Sequence, residues 1–245
     1  MTTIITGAAQ GLGRALALAL HAEGATVLAV DRDEGGLDSL PCKTLHLDLT
    51  HDDAPAALAA HAPIACIIHS AGISGTGPFE AIPADHHARI LALNLTAPMR
   101  ITCALLAADA MAPDGIHAFV GSLSTFTGYP GAVSYAASKD GLASFARSLA
   151  KALPKGQHAA CIFPGPMATD HAARYAPDNT DKTVAARQNV EDTARIILKG
   201  LAARRRIIIP GGKATFMARM GQIAPGLTGK VLRKGLYEKL TEPRL

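Results

Sequence analysis

The sequence predicts an α/β fold, a single doubly wound Rossmann-type domain whose parallel sheet is flanked by helices on both faces. Three observations carry that reading. Short apolar, β-branched runs alternate with Ala/Leu-rich helical stretches along the chain, the pattern of repeated βα units. Apolar residues make up 49% of the 245 residues and charged ones only 18%, as a sheet buried on both faces requires. The first strand runs directly into Gly7-Ala8-Ala9-Gln10-Gly11-Leu12-Gly13, a glycine turn that opens a helix.

Thr3 to Thr6 is the first strand, and Arg14 to Glu23 the helix, ending at Gly24 in a left-handed cap position. Ala25 to Val30 is the second strand, with Asp31 at its end, eighteen positions after Gly13. Strand, glycine turn and helix N-terminus together form an anion site, where backbone N–H groups and the helix dipole meet a pyrophosphate. The glycines permit the tight turn and close backbone approach. With an acidic residue placed at the next strand end, dinucleotide binding outweighs an ordinary glycine turn.

Two further βα units follow. Thr44 to Leu47 is a strand ending at Asp48, which can accept from an adenine amino group or cap its own turn; Asp52 to His61 is a helix. Ile64 to Ile68 is a strand leading into His69-Ser70-Ala71-Gly72. Ala84 to Ala107 reads as one long helix carrying Asn94, with a kink expected at Pro98. The strand Ile116 to Val120 precedes Ser122, a loop from Ser124 to Ser134 and a helix from Tyr135 to Lys151. Ala159 to Phe163 is a strand running into Pro164-Gly165-Pro166-Met167-Ala168-Thr169. The segment from Asp170 to Arg187 is expected to form a mobile lid. A helix from Val190 closes on Arg204-Arg205-Arg206, cations favoured at a helix C-terminus, before the strand Ile207 to Ile209.

Tyr135 and Lys139 stand four apart, hence on one helix face. A phenol titrates near 10 and is a poor base at neutral pH. A neighbouring ammonium favours the phenolate and suits Tyr135 to acid/base work on a carbonyl or alcohol. Ser122, at the end of a buried strand, can hydrogen-bond the oxygen that changes its proton. On a helix at large, a Tyr and a Lys so spaced are more often surface residues; the glycine turn upstream reverses that preference.

In these pieces the chain resembles the short-chain dehydrogenase/reductase family over residues 1 to 212. The glycine pattern with its leading Thr6, then Asn94, Ser122, Tyr135, Lys139 and the Pro164-Gly165…Thr169 turn match in order and spacing. The resemblance implies a seven-stranded parallel sheet in order 3-2-1-4-5-6-7 and a homodimer or homotetramer. It also implies roles: Tyr135 the acid/base, Lys139 lowering its pKa and binding the nicotinamide ribose, Ser122 on the substrate oxygen, Asn94 anchoring a proton-relaying water. The cofactor-binding set it implies begins with Thr6, Gly7, Gln10, Gly11, Leu12 and Gly13, and continues through Asp31, Arg32, Asp48 and Leu49. Ser70, Ala71 and Gly72 follow, and Pro164, Gly165, Met167 and Thr169 embrace the nicotinamide carboxamide. The family's usual Asn-Asn-Ala-Gly is His69-Ser70-Ala71-Gly72 here, a tolerated variant whose missing amides must be replaced by other groups.

The expected function is therefore a hydride transfer between a nicotinamide cofactor and a secondary alcohol or ketone carbon of a small molecule. NAD is favoured over NADP: Asp31 would accept from the ribose 2′-hydroxyl and repel a 2′-phosphate, Gln10 supplies no charge, and Arg32 pulls the other way. Ser122, Ser124, Phe126, Tyr129, Met167, His171 and Tyr175 are the candidate substrate lining. A silent dinucleotide sensor of the same fold is the rival of another class, disfavoured because Tyr135 and Lys139 are both present. A nucleotide-sugar epimerase or dehydratase needs a further substrate domain. Nucleic-acid binding is not expected, with no Trp and few aromatics to stack bases. No metal site is expected.

Cys42, Cys66, Cys103 and Cys161 are scattered, with no Cys-x-x-Cys, as in a cytoplasmic protein. No apolar run is expected to reach the about 18–20 residues of a membrane span. From Lys199 to the end, eleven Lys/Arg face two Asp/Glu, so the net +4 divides into +9 there and −5 elsewhere. Residues 213 to 245 read as an amphipathic helical extension. Phe216, Met217, Met220, Ile223 and Ala224 form one stripe and Leu232, Leu236 and Leu240 another. Burying large apolar side chains is worth roughly 1.5–3 kcal/mol each, so the stripes are expected to pack on this domain or a neighbouring subunit rather than on a membrane.

Overall fold

The computed structural model describes residues 1–169, 174–175, 188–235, 237–240 and 242–245. Seven strands form one parallel sheet in the order β3-β2-β1-β4-β5-β6-β7. They are β1 (Thr2–Thr6), β2 (Val27–Asp31), β3 (Lys43–His46), β4 (Ile64–His69), β5 (Met111–Val120), β6 (His158–Ile162) and β7 (Ile207–Ile208). Alternation along the strands sends successive side chains to opposite faces. Ile5, Ala29 and Ile68 pack under α1 (Gly11–Ala22) and α8 (Val190–Ala202). Ile4, Leu28 and Ile67 meet Leu58 of α3 (Ala54–Ala59) and Ile101 and Leu105 of α5 (Ala97–Ala107) on the other face. The short α2 (Glu34–Asp38) links β2 to β3. Strand order reverses between β1 and β4, so the loops leaving their carboxyl ends part and open a crevice.

Three segments depart from the sequence reading. Residues Ala84 to Ala107 form the one long helical run expected, but a π turn ahead of Pro98 interrupts its α geometry. An α4 (Ala84–Leu91) passes through a π turn (Ala92–Thr96) into α5, and Ala97 N–H bonds the Ala92 carbonyl five residues back. Pro98 has no N–H to give the carbonyl of Asn94, and the helix widens one turn earlier, around Asn94 itself. This stretch is long and apolar enough to cross a membrane by length and composition, contrary to the count of apolar runs; here Ile90, Ala97, Ile101 and Leu105 are buried in the protein.

Between Ser122 and Tyr135 the expected loop contains α6 (Ser124–Thr127), and α7 runs Val133–Ala152, starting before Tyr135. The chain ends in α9 (Gly212–Ile223), α10 (Pro225–Gly235) and a 3₁₀ turn (Tyr237–Lys239). The inward face of α9 is the small one, Ala214, Ala218 and Gly221, because its backbone approaches α6 so closely that a Cβ on Gly221 would run into the Phe126 carbonyl. Of the two coverings expected for the larger stripe, this domain does not supply one, since Phe216 is 66% and Ile223 78% exposed. Leu240 is buried; Leu236 lies outside the described residues.

Candidate active site

The crevice above β1, β2 and β4 is built by close backbone approach. Gly7 has φ +70, and a Cβ there would lie 2.7 Å from Ala71 Cα; one on Gly13 would run into the Gly7 carbonyl. Buried Thr6 ties the two loops from below: its hydroxyl accepts from the backbone N–H of Ser70 (3.1 Å) and Ala71 (3.2 Å). His69 takes another role, stacking on Phe119 with ring centroids 5.0 Å apart.

Helix α1 has no side-chain cap from Gln10 and no acidic residue in its first turn, so its leading N–H groups are left for an anion. Asp31 closes β2, with Oδ2 accepting from Ala9 N–H (3.0 Å) and Oδ1 from Asp33 N–H (3.1 Å). A carboxylate has about four acceptor sites, so capacity remains for ribose hydroxyls. Asp48 accepts from both the N–H (2.9 Å) and the hydroxyl (2.7 Å) of Thr50. Burial works to raise its pKa, but the Thr50 bonds, with the charges of His51 and Arg32, hold it below the usual carboxylate range. An uncapped helix start, a cradle without Cβ atoms and a carboxylate at the next strand end fit a dinucleotide.

The crevice brings most of the expected cofactor set together. Gly7, Gln10, Gly11, Leu12 and Gly13 line one side, and Asp31, Arg32, Asp48 and Leu49 the far end. Ser70, Ala71 and Gly72 form the floor, and Pro164, Met167 and Thr169 the opposite wall beside Tyr135 and Lys139. Thr6 lies beneath it, and Gly165 is turned toward Gln188 and Ala214. The sequence reading missed Ile73, Arg89, Ala92, Leu93, Val120 and Gly121, which also line it. Arg89, Ala92 and Leu93 share a helix face by their spacing, the only signal that could have found them.

Lys139 is 3% exposed, and its Nζ donates to the Val120 carbonyl at 2.8 Å. Burial draws its pKa down to about 8, against a smaller upward pull from Cys161, which leaves it largely protonated at neutral pH. The Nζ lies 5.8 Å from the Tyr135 ring centroid. The expectation that Lys139 lowers the Tyr135 pKa is not what this geometry gives. Burial holds the phenol above its ordinary value, a hydrogen bond with Ser122 pulls it down, and Tyr129 adds to the rise. Ser122 Oγ also accepts from Ser124 N–H at 3.2 Å. Asn94 is wholly buried; its Nδ2 donates to the Ile73 carbonyl (2.9 Å) and to Ser138 Oγ (3.0 Å), and its Oδ1 accepts from Ile73 N–H (2.9 Å). Its side chain is thus committed to protein partners.

Of the candidate substrate lining, Met167 and Tyr175 border the crevice, and Ser122 and Tyr129 sit near Tyr135. Ser124 Oγ is buried with no partner among the described residues. Phe126 packs edge-on against Phe163, centroids 4.9 Å apart, and belongs to the core beside α9 rather than to the crevice. His171 and the rest of the expected lid lie outside the described residues, Arg174 and Tyr175 excepted.

The profile of the short chain dehydrogenase family matches residues 1–180. An uncharacterized short-chain type dehydrogenase/reductase of Sinorhizobium fredii is 34% identical over 186 residues, 69% of this chain but only 33% of that longer protein. An uncharacterized oxidoreductase of Myxococcus xanthus is 32% identical over 67% of this chain and 71% of its own. Among solved structures, a short-chain dehydrogenase of Sphingobium yanoikuyae in complex with NADPH superposes with TM-score 0.75 at 25% identity, covering 91% of this chain and 95% of that one. One of Burkholderia phymatum in complex with NAD shares the fold, with TM-score 0.77 at 18% identity over 89% and 92% of the two chains.

Proposed function

This chain belongs to the short-chain dehydrogenase family of oxidoreductases, and on that premise we propose that it moves a hydride between NAD and a secondary alcohol or ketone carbon of a small molecule. The observation that carries the reading is the meeting of Tyr135 and Lys139 with the glycine cradle in one crevice. When bound, the nicotinamide ring supplies or takes the hydride. Gly7 to Gly13 hold the pyrophosphate, Asp31 the adenosine ribose, and Pro164, Met167 and Thr169 flank the nicotinamide end.

Tyr135 carries the proton. Held above its ordinary pKa by burial, the phenol is protonated at neutral pH and donates from Oη to the substrate oxygen as a ketone is reduced. In the reverse direction the phenol must first lose its proton to solvent, and the phenolate of Tyr135 then accepts the hydroxyl proton. Ser122 orients that oxygen, and Lys139 places a positive charge behind the ring. Asn94 positions these groups by fixing Ile73 and Ser138, while the widened turn leaves its backbone carbonyl without the Pro98 donor and able to hold a water. The protein acts as a homodimer or homotetramer; the outward Phe216, Ile223, Leu227 and Val231 supply apolar surface for such contacts.

A panel of secondary alcohols with NAD, and of ketones with NADH, followed by absorbance of the reduced nicotinamide, tests the assignment. Turnover with at least one pair, abolished by Tyr135→Phe, is expected. Dinucleotide binding without turnover of any member would instead favour a sensor.

A further inference from the structure

The last residues of the chain return to the loop that follows β4. Thr76, fully buried, makes an isolated antiparallel bridge with Arg244: Thr76 N–H donates to the Arg244 carbonyl (3.1 Å), and Arg244 N–H to the Thr76 carbonyl (2.8 Å). The neighbouring position is shaped for this contact. Gly77 has φ +141, and a Cβ there would stand 2.8 Å from Pro243 Cα. A second glycine receives the strap nearby, since a Cβ on Gly131 would collide with Leu240 Cδ1, and Leu240 is buried. Gly77 N–H donates to the Gly131 carbonyl at 2.9 Å. The C-terminal segment therefore clamps together the loop after β4 and the loop that leads into the Tyr135 helix.

The clamped residue reaches the site. Thr76 Oγ1 donates to the carbonyl of Tyr175 at 2.9 Å, and Tyr175, 6% exposed, lines the same crevice as Tyr135 and Lys139. The backbone of Thr76 is held by the strap while its hydroxyl holds Tyr175. A threonine whose two backbone groups and side chain are all engaged has one conformation, and it passes that restriction on to the residue it holds. We propose that Thr76, braced by the strap at Pro243 and Arg244, is a positioning residue that holds Tyr175 against the crevice and thereby sets the size of substrate admitted to Tyr135.

This rests on the oxidoreductase reading only for its kinetic consequence; the anchor itself can be read without turnover. Arg174 is exposed and directly precedes Tyr175, so trypsin cutting between them, followed by mass spectrometry on the full chain with saturating NAD, reports whether the Tyr175 carbonyl is held. Thr76→Val keeps the branched shape and deletes the hydroxyl. It should speed that cut about tenfold, a factor of the size expected when a buried carbonyl loses its donor. Thr76→Ser restores the hydroxyl and should restore the wild-type rate. A chain ending at Thr241 lacks the bridge to Arg244 and should be cut as fast as Thr76→Val. Where a substrate of the panel is turned over, Thr76→Val should raise its KM about three- to tenfold, leave kcat within twofold, leave NAD affinity unchanged, and improve bulkier ketones relative to small ones.

An unchanged cutting rate in Thr76→Val or in the shortened chain, a failure of Thr76→Ser to rescue, or a change in kcat without one in KM overturns the proposal. Should Thr76→Val not fold, the shortened chain and Thr76→Ser decide it by the same cut. A chain with no turnover but an accelerated cut would overturn the oxidoreductase reading and leave the anchor standing.

Discussion

Asn94 closes a two-bond clip on Ile73, its Oδ1 accepting from the N–H and its Nδ2 donating to the carbonyl, both at 2.9 Å. A side-chain amide here takes the place of a strand partner for a loop residue that itself lines the crevice. The π turn around Asn94 and the floor of the cofactor site are thus one unit.

Asn94→Ala leaves both backbone groups of Ile73 without these partners, and an unsatisfied buried group costs about 1–3 kcal/mol. The variant should lose stability in that range and bind NAD more weakly. Denaturant unfolding and a dinucleotide titration check this; wild-type values in both would mean that the clip holds nothing.

Tyr135→Phe removes the proton carrier while leaving most of the ring's packing. General acid/base catalysis contributes about 10²–10⁴-fold, so turnover should fall by at least that lower figure with NAD affinity nearly intact. Lys139→Ala should damage turnover and binding together. Ser122→Ala should cost more than Ser124→Ala, since Ser122 acts on the phenol and pulls its pKa down. Retention of more than roughly a tenth of the wild-type rate by Tyr135→Phe would refute the assignment.

Asp31 bears on cofactor choice and on the glycine loop at once, through its bond to Ala9 N–H. Asp31→Asn keeps an acceptor for Ala9 and deletes the charge that repels a 2′-phosphate. The wild-type enzyme should show higher kcat/KM with NAD, and Asp31→Asn should narrow that preference by roughly tenfold, or 1.4 kcal/mol. Steady-state kinetics with both dinucleotides decide the matter, and a wild-type preference for NADP, drawn by Arg32, would sink it.

His69 and His117 are buried, and neither ring nitrogen of His69 has a partner among the described residues. Burial, reinforced by His117, lowers the His69 pKa to about 3; burial lowers that of His117 to about 4, against an upward pull from Gln157. Both rings titrate near 6.5 when unfolded. Between those values the unfolded chain binds more protons, so the stability these rings contribute is complete above about 6.5 and is lost as the pH falls. Each ring adds about 1.4 kcal/mol per pH unit to that slope. His69→Asn should reduce the slope by one such increment. Unfolding free energies from pH 4.5 to 7 test it, an unchanged slope being the contrary result.

Much of this site was legible because its parts are local. Glycine before a helix, a carboxylate at a strand end, and Tyr and Lys one turn apart each depend on neighbours in sequence, and all of them line the crevice. Which face of α9 meets this domain was not legible in the sequence, for a physical reason. Large apolar residues suggest an inward stripe, yet depth of packing is set by how closely backbones approach. At Gly221 only the absence of a side chain lets α9 reach Phe126.

The sequence by itself determined the alternation of strands and helices and the glycine turn that opens α1, because these are short-range patterns with few alternative solutions, while the order of the strands was implied by the resemblance to the short-chain dehydrogenase/reductase family. Only the tertiary structure decided what distant residues do to one another. It tied the Thr6 hydroxyl to the Ser70 N–H, put Lys139 on the Val120 carbonyl, and bound Asn94 to Ile73. It also carried Arg244 back to Thr76 across most of the chain. Such contacts depend on the packed geometry of whole elements, and no spacing along the chain encodes that.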